Sequence, residues 1–452
     1  MHIKKSFHRK DFFFTCLIVK KHSPSKVVNA WAFYDWANSV YSLVITSTIF
    51  PIYYNSVTSS EERGDTVLFF GTEITNTVLY SYSLSFSFLV VAFLSPILSG
   101  VADYGGKKKS FLKFFAYLGS LACIGLYFFD GSNIEYGIFC SVMASVGWAG
   151  SIVFYNAYLP EITSPDKYDF VSARGYAMGY IGSVLLLIFN LAMVTTPETF
   201  GISDSGSASR ISFLMVGIWW AGFAQITFYY LPNNPHGRKP GKKLLIKGFQ
   251  ELQKVWSSLN DLHVLKTFLA AFFFYSVGVQ TVMYLAASFG DKELNLAAEQ
   301  LIMTVLIIQL VAIGGSYLFA YISKWRGNRF SLMFMVLIWV GVCFFAYFVY
   351  TANEFYFLAF VVGLVMGGIQ SLSRATYSKL IPANTIDNAS YFSFYDVTEK
   401  IAIVLGTFSY GLIEQITGSM RNSTFALGLF FVVGLALLWL MKIPKIISKP
   451  DQ

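Results

Sequence analysis

The chain has 452 residues, of which 55% are apolar, 18% aromatic and only 13% charged, and its formal net charge is +8. Soluble proteins carry about 25% charged residues, so a string of water-soluble domains is excluded. Twelve membrane helices of about 20 residues each would use about half the chain, close to its apolar share, and a polytopic helical membrane protein is the expectation.

In chain order, residues 1–28 form a basic tail with a short apolar run, Phe12 to Val19. The run is too short to span a bilayer, and no small-residue cleavage site follows closely enough for a signal peptide. A first span over 31–54 contains Asp35, and Asn38, Ser42 and Thr46 follow it at spacings of three, four and four, a polar stripe on one helix face. Spans two to six are predicted over 74–102, 111–129 (with Lys113 inside), 136–160, 175–197 and 211–237. Pro232, Pro235 and Pro240 then break the sixth helix. After them Leu245, Phe249, Leu252, Trp256 and Leu259 recur at helical spacing, with Lys247, Gln250, Glu251 and Lys254 elsewhere on the turn. That pattern predicts an amphipathic helix lying on the membrane surface and linking two halves. Spans seven to twelve follow over 267–290, 300–323, 330–353, 355–373, 390–413 (charge-free only after Lys400) and 422–441. The resulting division is a tail (1–28), a six-helix half (29–231), a linker (232–264), a second six-helix half (265–442) and a tail (443–452).

Of the 33 Lys and Arg residues, 29 fall in the tails and in one alternate set of loops, and only Arg63, Arg210, Lys292 and Arg421 fall in the other. The positive-inside rule then places both termini in the cytoplasm, and it accounts for the +8 without nucleic acid. Four separated cysteines without Cys-x-x-Cys spacing, and five histidines all outside the apolar runs, argue against zinc, a disulfide framework or a metal site in the membrane. There is no Gly-x-x-x-x-Gly-Lys-Ser/Thr loop for a primary pump, and no paired acids or Ser/His set within the spans for a hydrolase, so an enzyme is not expected.

The loop after the second span, Ser99-Gly100-Val101-Ala102-Asp103-Tyr104-Gly105-Gly106-Lys107-Lys108-Lys109, has a counterpart after the eighth, Ala320-Tyr321-Ile322-Ser323-Lys324-Trp325-Arg326-Gly327-Asn328-Arg329. Each places a small residue seven positions before a glycine followed by basic residues, which points to duplicated halves. The first loop resembles the signature of the major facilitator superfamily, Gly-x-x-x-Asp-x-x-Gly-Arg/Lys, with Asp103, Gly106 and Lys107 matching and Ser99 in place of the first glycine. Lys324 replaces the acid in the second copy, so a latch formed by this motif is expected on one side only. Trp31 to Ser39, Phe154 to Pro160, Gly278 to Thr281 and Gly367 to Arg374 are similar to the vacuole-effluxer-like branch of that superfamily, over about residues 29–440.

The resemblance implies an all-α membrane fold of twelve transmembrane helices in two pseudo-symmetric six-helix halves, working by alternating access as a secondary transporter. It further implies a small-molecule substrate, amino acids and export among the options, a proton or other coupling cation, no cofactor and a monomer in the lipid bilayer. The membrane would be the cytoplasmic one in a prokaryote or the vacuolar one in a fungus. A cation-coupled sugar or glycoside symporter of the same superfamily is the alternative, and a channel or scramblase the remoter one. In the superfamily's helix order the first, fourth, seventh and tenth helices line the cavity, which selects Asp35, Asn38, Tyr155, Asn156, Tyr275, Gln280, Gln370 and Ser373 as substrate or cavity residues. Asp103, Gly106 and Lys107, together with Arg174, Arg374, Glu399 and Lys400 at expected helix ends, are the gating candidates. Val277 stands where many relatives carry a seventh-helix acid. That leaves Asp35, read as the one carboxylate inside a span and away from other charges, as the expected coupling site; its rival role is a helix cap. Gly175, Gly179 and Gly182 are assigned to close helix packing.

Overall fold

The computed structural model describes residues 23–59, 64–233, 244–383 and 385–441. The expected tail run Phe12 to Val19, the prolines Pro235 and Pro240, and the C-terminal tail lie outside the described residues. The first predicted span is two helices, α1 (Pro24–Val40) and α2 (Ile49–Thr58), joined by a π-helical turn over Tyr41–Thr46. Pro51 explains the break, because it has no N–H to continue the ladder. The carbonyls released nearby are taken up by hydroxyls: Thr48 Oγ1 donates to the Leu43 carbonyl at 2.6 Å and Ser47 Oγ to that of Ser42 at 2.9 Å. The polar stripe read from Asp35 to Thr46 is therefore interrupted halfway.

A short antiparallel hairpin, β1 (Thr66–Phe69) with β2 (Thr72–Thr75), follows, turning at Phe70 and Gly71, both at positive φ. The rest is helix: α3 (Asn76–Gly105), α4 (Lys108–Gly125), α5 (Ile134–Asn156), the short α6 (Leu159–Ile162), α7 (Tyr168–Thr195) and α8 (Ser205–Tyr230). The surface helix α9 (Leu244–Ser258) comes next, then α10 (His263–Leu294), α11 (Ala298–Arg326), α12 (Asn328–Ala346), α13 (Ala352–Leu380), α14 (Asn388–Thr417) and α15 (Met420–Leu440). Among the described residues ten of these are long and apolar enough to cross a bilayer. The two other predicted spans are helical but fall outside that set, α1/α2 because it is broken and α14 because Asp396, Glu399, Lys400 and Glu414 interrupt its apolar run. Phe93, Phe139, Leu429 and Trp439 are among many large apolar side chains left on the outside, as a lipid-facing surface requires.

Within the N-terminal group of helices, α1 packs on α7 and α8, and α5 on α3 and α4. Within the C-terminal group, α11 packs on α13, α12 on α15, and α10 on α14 and α15. The groups meet where α7 lies against α11 and α13, and where α3 and α5 lie against α14. Helix α9 forms as the sequence predicts. Gly248, Val255 and Leu259 turn inward while Phe249 and Trp256 are exposed. The reason is a backbone contact: Gly248 presses on Gly100 and Val101 of α3, where no Cβ fits on either glycine.

Candidate functional site

The loops α3–α4, α5–α7, α11–α12 and α13–α14, with α9, mark one end of the bundle, the end rich in Lys and Arg. Here the two groups are tied together three times. The central tie is Arg374 of α13, whose side chain is 2% exposed although it comes from the C-terminal group. Its Nη1 and Nη2 donate to Asp35 Oδ2 of α1 at 3.3 and 3.4 Å, Nη1 also to Asn156 Oδ1 of α5 at 3.2 Å, and Nε and Nη2 to Ser172 Oγ and O of α7 at 2.9 Å. Tyr155 Oη donates to the same Asp35 oxygen at 2.8 Å. Trp31, Tyr155 and Tyr176 place their rings 4.9, 5.4 and 4.3 Å from the guanidinium carbon, so the cation sits in an aromatic box as well as an ion pair. Gly175 makes room for the pair. A Cβ there would stand 2.5 Å from Asp35 Oδ2 and 2.9 Å from Arg374 Nη2.

This geometry corrects two readings of Asp35. It is the twelfth residue of α1 and not in its first turn, so it caps nothing. Nor is it isolated from other charges, because Arg374, distant in sequence, is its counter-ion.

The second tie is the signature loop. Asp103 accepts from the backbone N–H of Ala389 and Ser390 at 3.2 and 2.7 Å and from Ser390 Oγ at 2.8 Å, all in the first turn of α14. A carboxylate on the first amides of a helix completes donors that the helix itself leaves unpaired. Gly106 closes α3 in the left-handed region, φ 61°, which is why a glycine stands there. Lys107 is exposed, and the lysine that joins the network is Lys108, which pairs with Glu161 and lies 3.9 Å from Asp103; Asn388 also donates to Glu161, at 3.0 Å.

The third tie overturns the expectation of a one-sided latch. Opposite the second loop copy, Asp169 at the start of α7 accepts from Ser323 Oγ at 3.0 Å, Asn328 Nδ2 at 2.8 Å and Lys379 Nζ at 2.7 Å. The acid missing from that loop is supplied by the facing helix. Asp169 precedes the predicted fifth span, and its place as second residue of α7, matching that of Ala389 in α14, is visible only in the structure.

The remaining candidates separate. Arg174 is exposed and bonds Asn29 of its own group at 2.5 Å, so it does not join the ties. Tyr275 and Ser373 bond each other at 2.7 Å, between α10 and α13. Gln370 accepts from Tyr180 at 2.6 Å across the groups. Asn38 is buried, and its Nδ2 has no hydrogen-bond partner.

Glu399 and Lys400 are also misplaced by the sequence reading. They are the twelfth and thirteenth residues of a 30-residue helix, about 18 Å from its start at 1.5 Å per residue, as far along α14 as Asp35 is along α1 and not at the helix end. Lys400 Nζ lies 3.2 Å from Asp396 Oδ1 and 3.4 Å from Glu399 Oε2, and Gln280 Nε2 donates to Glu399 Oε1 at 2.9 Å. Phe88 of α3 and Trp148 of α5 face Lys400 from the other group, each ring 5.5 Å away.

Two helical groups, locked at one end and carrying charges between them in the bundle's interior, define a carrier fold. A solved structure titled as a major facilitator superfamily transporter, FucP, in the outward conformation, superposes with a TM-score of 0.69 at 10% identity, over 93% of this chain and 99% of that one. The protein has the fold of that superfamily. A family model described as "Vacuole effluxer Atg22 like" matches residues 23–449, and the chain belongs to this family. The "Uncharacterized MFS-type transporter YxiO" of Bacillus subtilis (strain 168) is 31% identical over 422 residues, 92% of this chain and 94% of its own. "Autophagy-related protein 22-1" of Penicillium rubens is 24% identical over 484 residues, 87% of this chain and 80% of its own. The family's description as effluxers and the first relative's name make the protein a membrane-embedded transporter of the major facilitator superfamily.

Proposed function

We propose that the chain is a secondary active carrier that moves a small zwitterion, an amino acid, by alternating access between two six-helix halves joined through α9. The observation that carries this reading is the one-sidedness of the ties. Asp35, Asn156, Ser172, Asp103 and Asp169 are bonded to the other group at the basic end, with Tyr180–Gln370 the innermost link. Alternating access requires such a closure at one end at a time, made of bonds that can be exchanged as a set. With the 29-to-4 distribution of basic residues placing that end and both termini in the cytoplasm, the conformation described is outward-facing. In this reading Asp35, Tyr155, Asn156, Arg374, Asp103 and Gly106 form the inner gate. Asn38, Gln280, Gln370, Tyr275 and Ser373 belong to the cavity wall.

The interior charges support the substrate class. Lys400 offers a cation to a carboxylate, and Glu399, whose side chain is 21% exposed, an anion to an ammonium group. The family's description as vacuole effluxers favours export from a lumen into the cytoplasm. The test is counterflow into proteoliposomes preloaded with unlabelled solute, using labelled neutral amino acids and labelled hexoses in parallel. Saturable exchange of an amino acid is the expected result. Exchange of hexoses alone would transfer the reading to a sugar symporter, and flux that does not saturate would make the protein a channel or scramblase.

A further inference from the structure

The charge cluster on α14 holds one group that the gate and the solute leave unused. Asp396 is 2% exposed, and neither of its carboxylate oxygens has a hydrogen-bond partner. The ammonium of Lys400 is near at 3.2 Å but misaligned for a hydrogen bond. Buried carboxylates are as a rule hydrogen-bonded, and an orphaned one is costly. Asp35 is the contrasting case, with both Arg374 and Tyr155 bonded to it.

The cluster's charge is also unbalanced. Asp396 and Glu399 are two anions against the one cation Lys400. What faces them from neighbouring helices adds no further charge to the cluster: Gln280 and Tyr284 of α10, Phe88 of α3, Trp148 of α5 and Tyr176 of α7. Arg374 of α13 already has Asp35 as its counter-ion, and Lys254 of α9 is occupied with Asp387 at the helix end. The Trp148 indole, whose ring lies 5.5 Å from Lys400 Nζ, has a buried N–H without an acceptor. The cluster thus lacks a positive charge at Asp396 and an acceptor at Trp148.

We propose that Asp396 is the proton-binding site of the transport cycle. A proton from the aqueous phase forms an O–H bond on the Asp396 carboxylate, the Asp396–Lys400 ion pair breaks, and Lys400 keeps Glu399 as its counter-ion. The cluster goes from one net negative charge to none, which removes the cost of carrying an unpaired charge through the low-dielectric middle of the bundle. Lys400, released from Asp396, is then available with the Trp148 N–H to hold a carboxylate of the solute. Proton and solute therefore favour each other's binding, by the reciprocity of linked equilibria, and travel in the same direction. The proton leaves Asp396 when the solute leaves and Lys400 swings back. The role of the solute rests on the amino-acid reading above; proton uptake by Asp396 does not.

The test is infrared difference spectroscopy of the full-length protein in lipid, without solute and in sodium-free buffer, on going from mildly alkaline to mildly acid pH. In the wild type a protonated-carboxyl C=O band appears. It is absent in Asp396→Asn, retained in Asp35→Asn, and retained at a shifted frequency in Asp396→Glu, which also shows that a carboxylate-bearing variant folds. A band unchanged in frequency in Asp396→Glu, or one lost in Asp35→Asn and kept in Asp396→Asn, overturns the proposal. So does a wild type with no acid-induced band. Because the readout needs no transported solute, failure of the amino-acid reading appears in the counterflow assay alone, with the band intact.

Discussion

Asp103 and Asp169 tie the same two groups of helices at the same end of the molecule by opposite constructions. Asp103 sits in the last turn of α3 and is held by two backbone amides and one hydroxyl in the first turn of the facing helix. Asp169 sits in the first turn of α7 and is held only by side chains, from the α11–α12 junction and from α13. The difference teaches that the duplicated halves share a position for the tie and not its chemistry. A carboxylate near a helix N-terminus is stabilised there whichever partner supplies it. The two ties also differ in tolerance, because amides in a helix cannot reorient while hydroxyls, an Asn amide and a lysine can.

The comparison is broken most severely at its centre. Arg374→Ala leaves Asp35 buried without its counter-ion, for which about 3–5 kcal/mol is the usual cost. A lowered unfolding midpoint and increased labelling of cysteines introduced along the basic end are expected; Arg374→Lys should not restore either, since lysine lacks the fork that reaches Asp35, Asn156 and Ser172 together. Normal labelling with normal stability would remove Arg374 from the gate.

A second contrast lies in the paired glycines. Gly327 adopts φ 85°, ψ 158°, and Gly106 φ 61°, ψ 30°. The first conformation is essentially reserved to glycine, with strain of about 1–3 kcal/mol for another residue, whereas the second admits other residues at about 1–2 kcal/mol. Gly327→Ala should therefore lower the denaturation midpoint more than Gly106→Ala. The reverse order would mean that the turn of the second copy relaxes on substitution.

The ties themselves come next. Asp103→Asn turns an amide donor toward a fixed backbone N–H and leaves it unsatisfied, at about 1–3 kcal/mol. Asp169→Asn should cost less, because Ser323 and Asn328 can reverse their bonds and Lys379, 19% exposed, can turn to water. Matched stability measurements on the two variants decide this, and equal losses would refute the distinction between fixed and adaptable donors.

The smallest effect is expected at the opposite end, where Asp204 caps α8 by accepting from the Ser207 N–H at 2.8 Å. The hydroxyl of Ser203 and the amide and hydroxyl of Ser207 pull its carboxyl down to about 2. A depressed folded value means that the cap's contribution is whole above the ordinary carboxylate value of about 3.9 and is lost progressively between there and about 2. Hydrogen-exchange protection at the first turn of α8 should therefore decline over that interval. Protection that does not change from about pH 5 down to about pH 2 would show that the carboxylate is not held.

Much of this architecture could be read locally. Helix α3 was legible because its charge-free run fills a bilayer. The surface helix α9 was legible from its periodicity, and Asp103 and Gly106 from a motif whose glycine reports a backbone angle. Lys107 was preferred to Lys108 because the motif names a position, whereas burial against Glu161 selects the next residue along. The π turn in the first span was foreshadowed only by Pro51, and the inward face of α9 was hidden because it is set by contact between two glycines.

By itself the sequence determined what depends on neighbours along the chain: the membrane class, the order of helices, the surface linker and the loop repeat, all of which follow from apolar run length, periodicity and local charge. Only the tertiary structure decided which charges meet. Asp35 is separated from Arg374 by 339 positions and Asp169 from Lys379 by 210, and no local pattern links them. Glu399 and Lys400 were expected at a helix end because polar residues in one stretch read alike whether water or protein surrounds them. Their burial is imposed by α3, α5 and α10 closing around α14, and that enclosure turns an ordinary run of charges into a site.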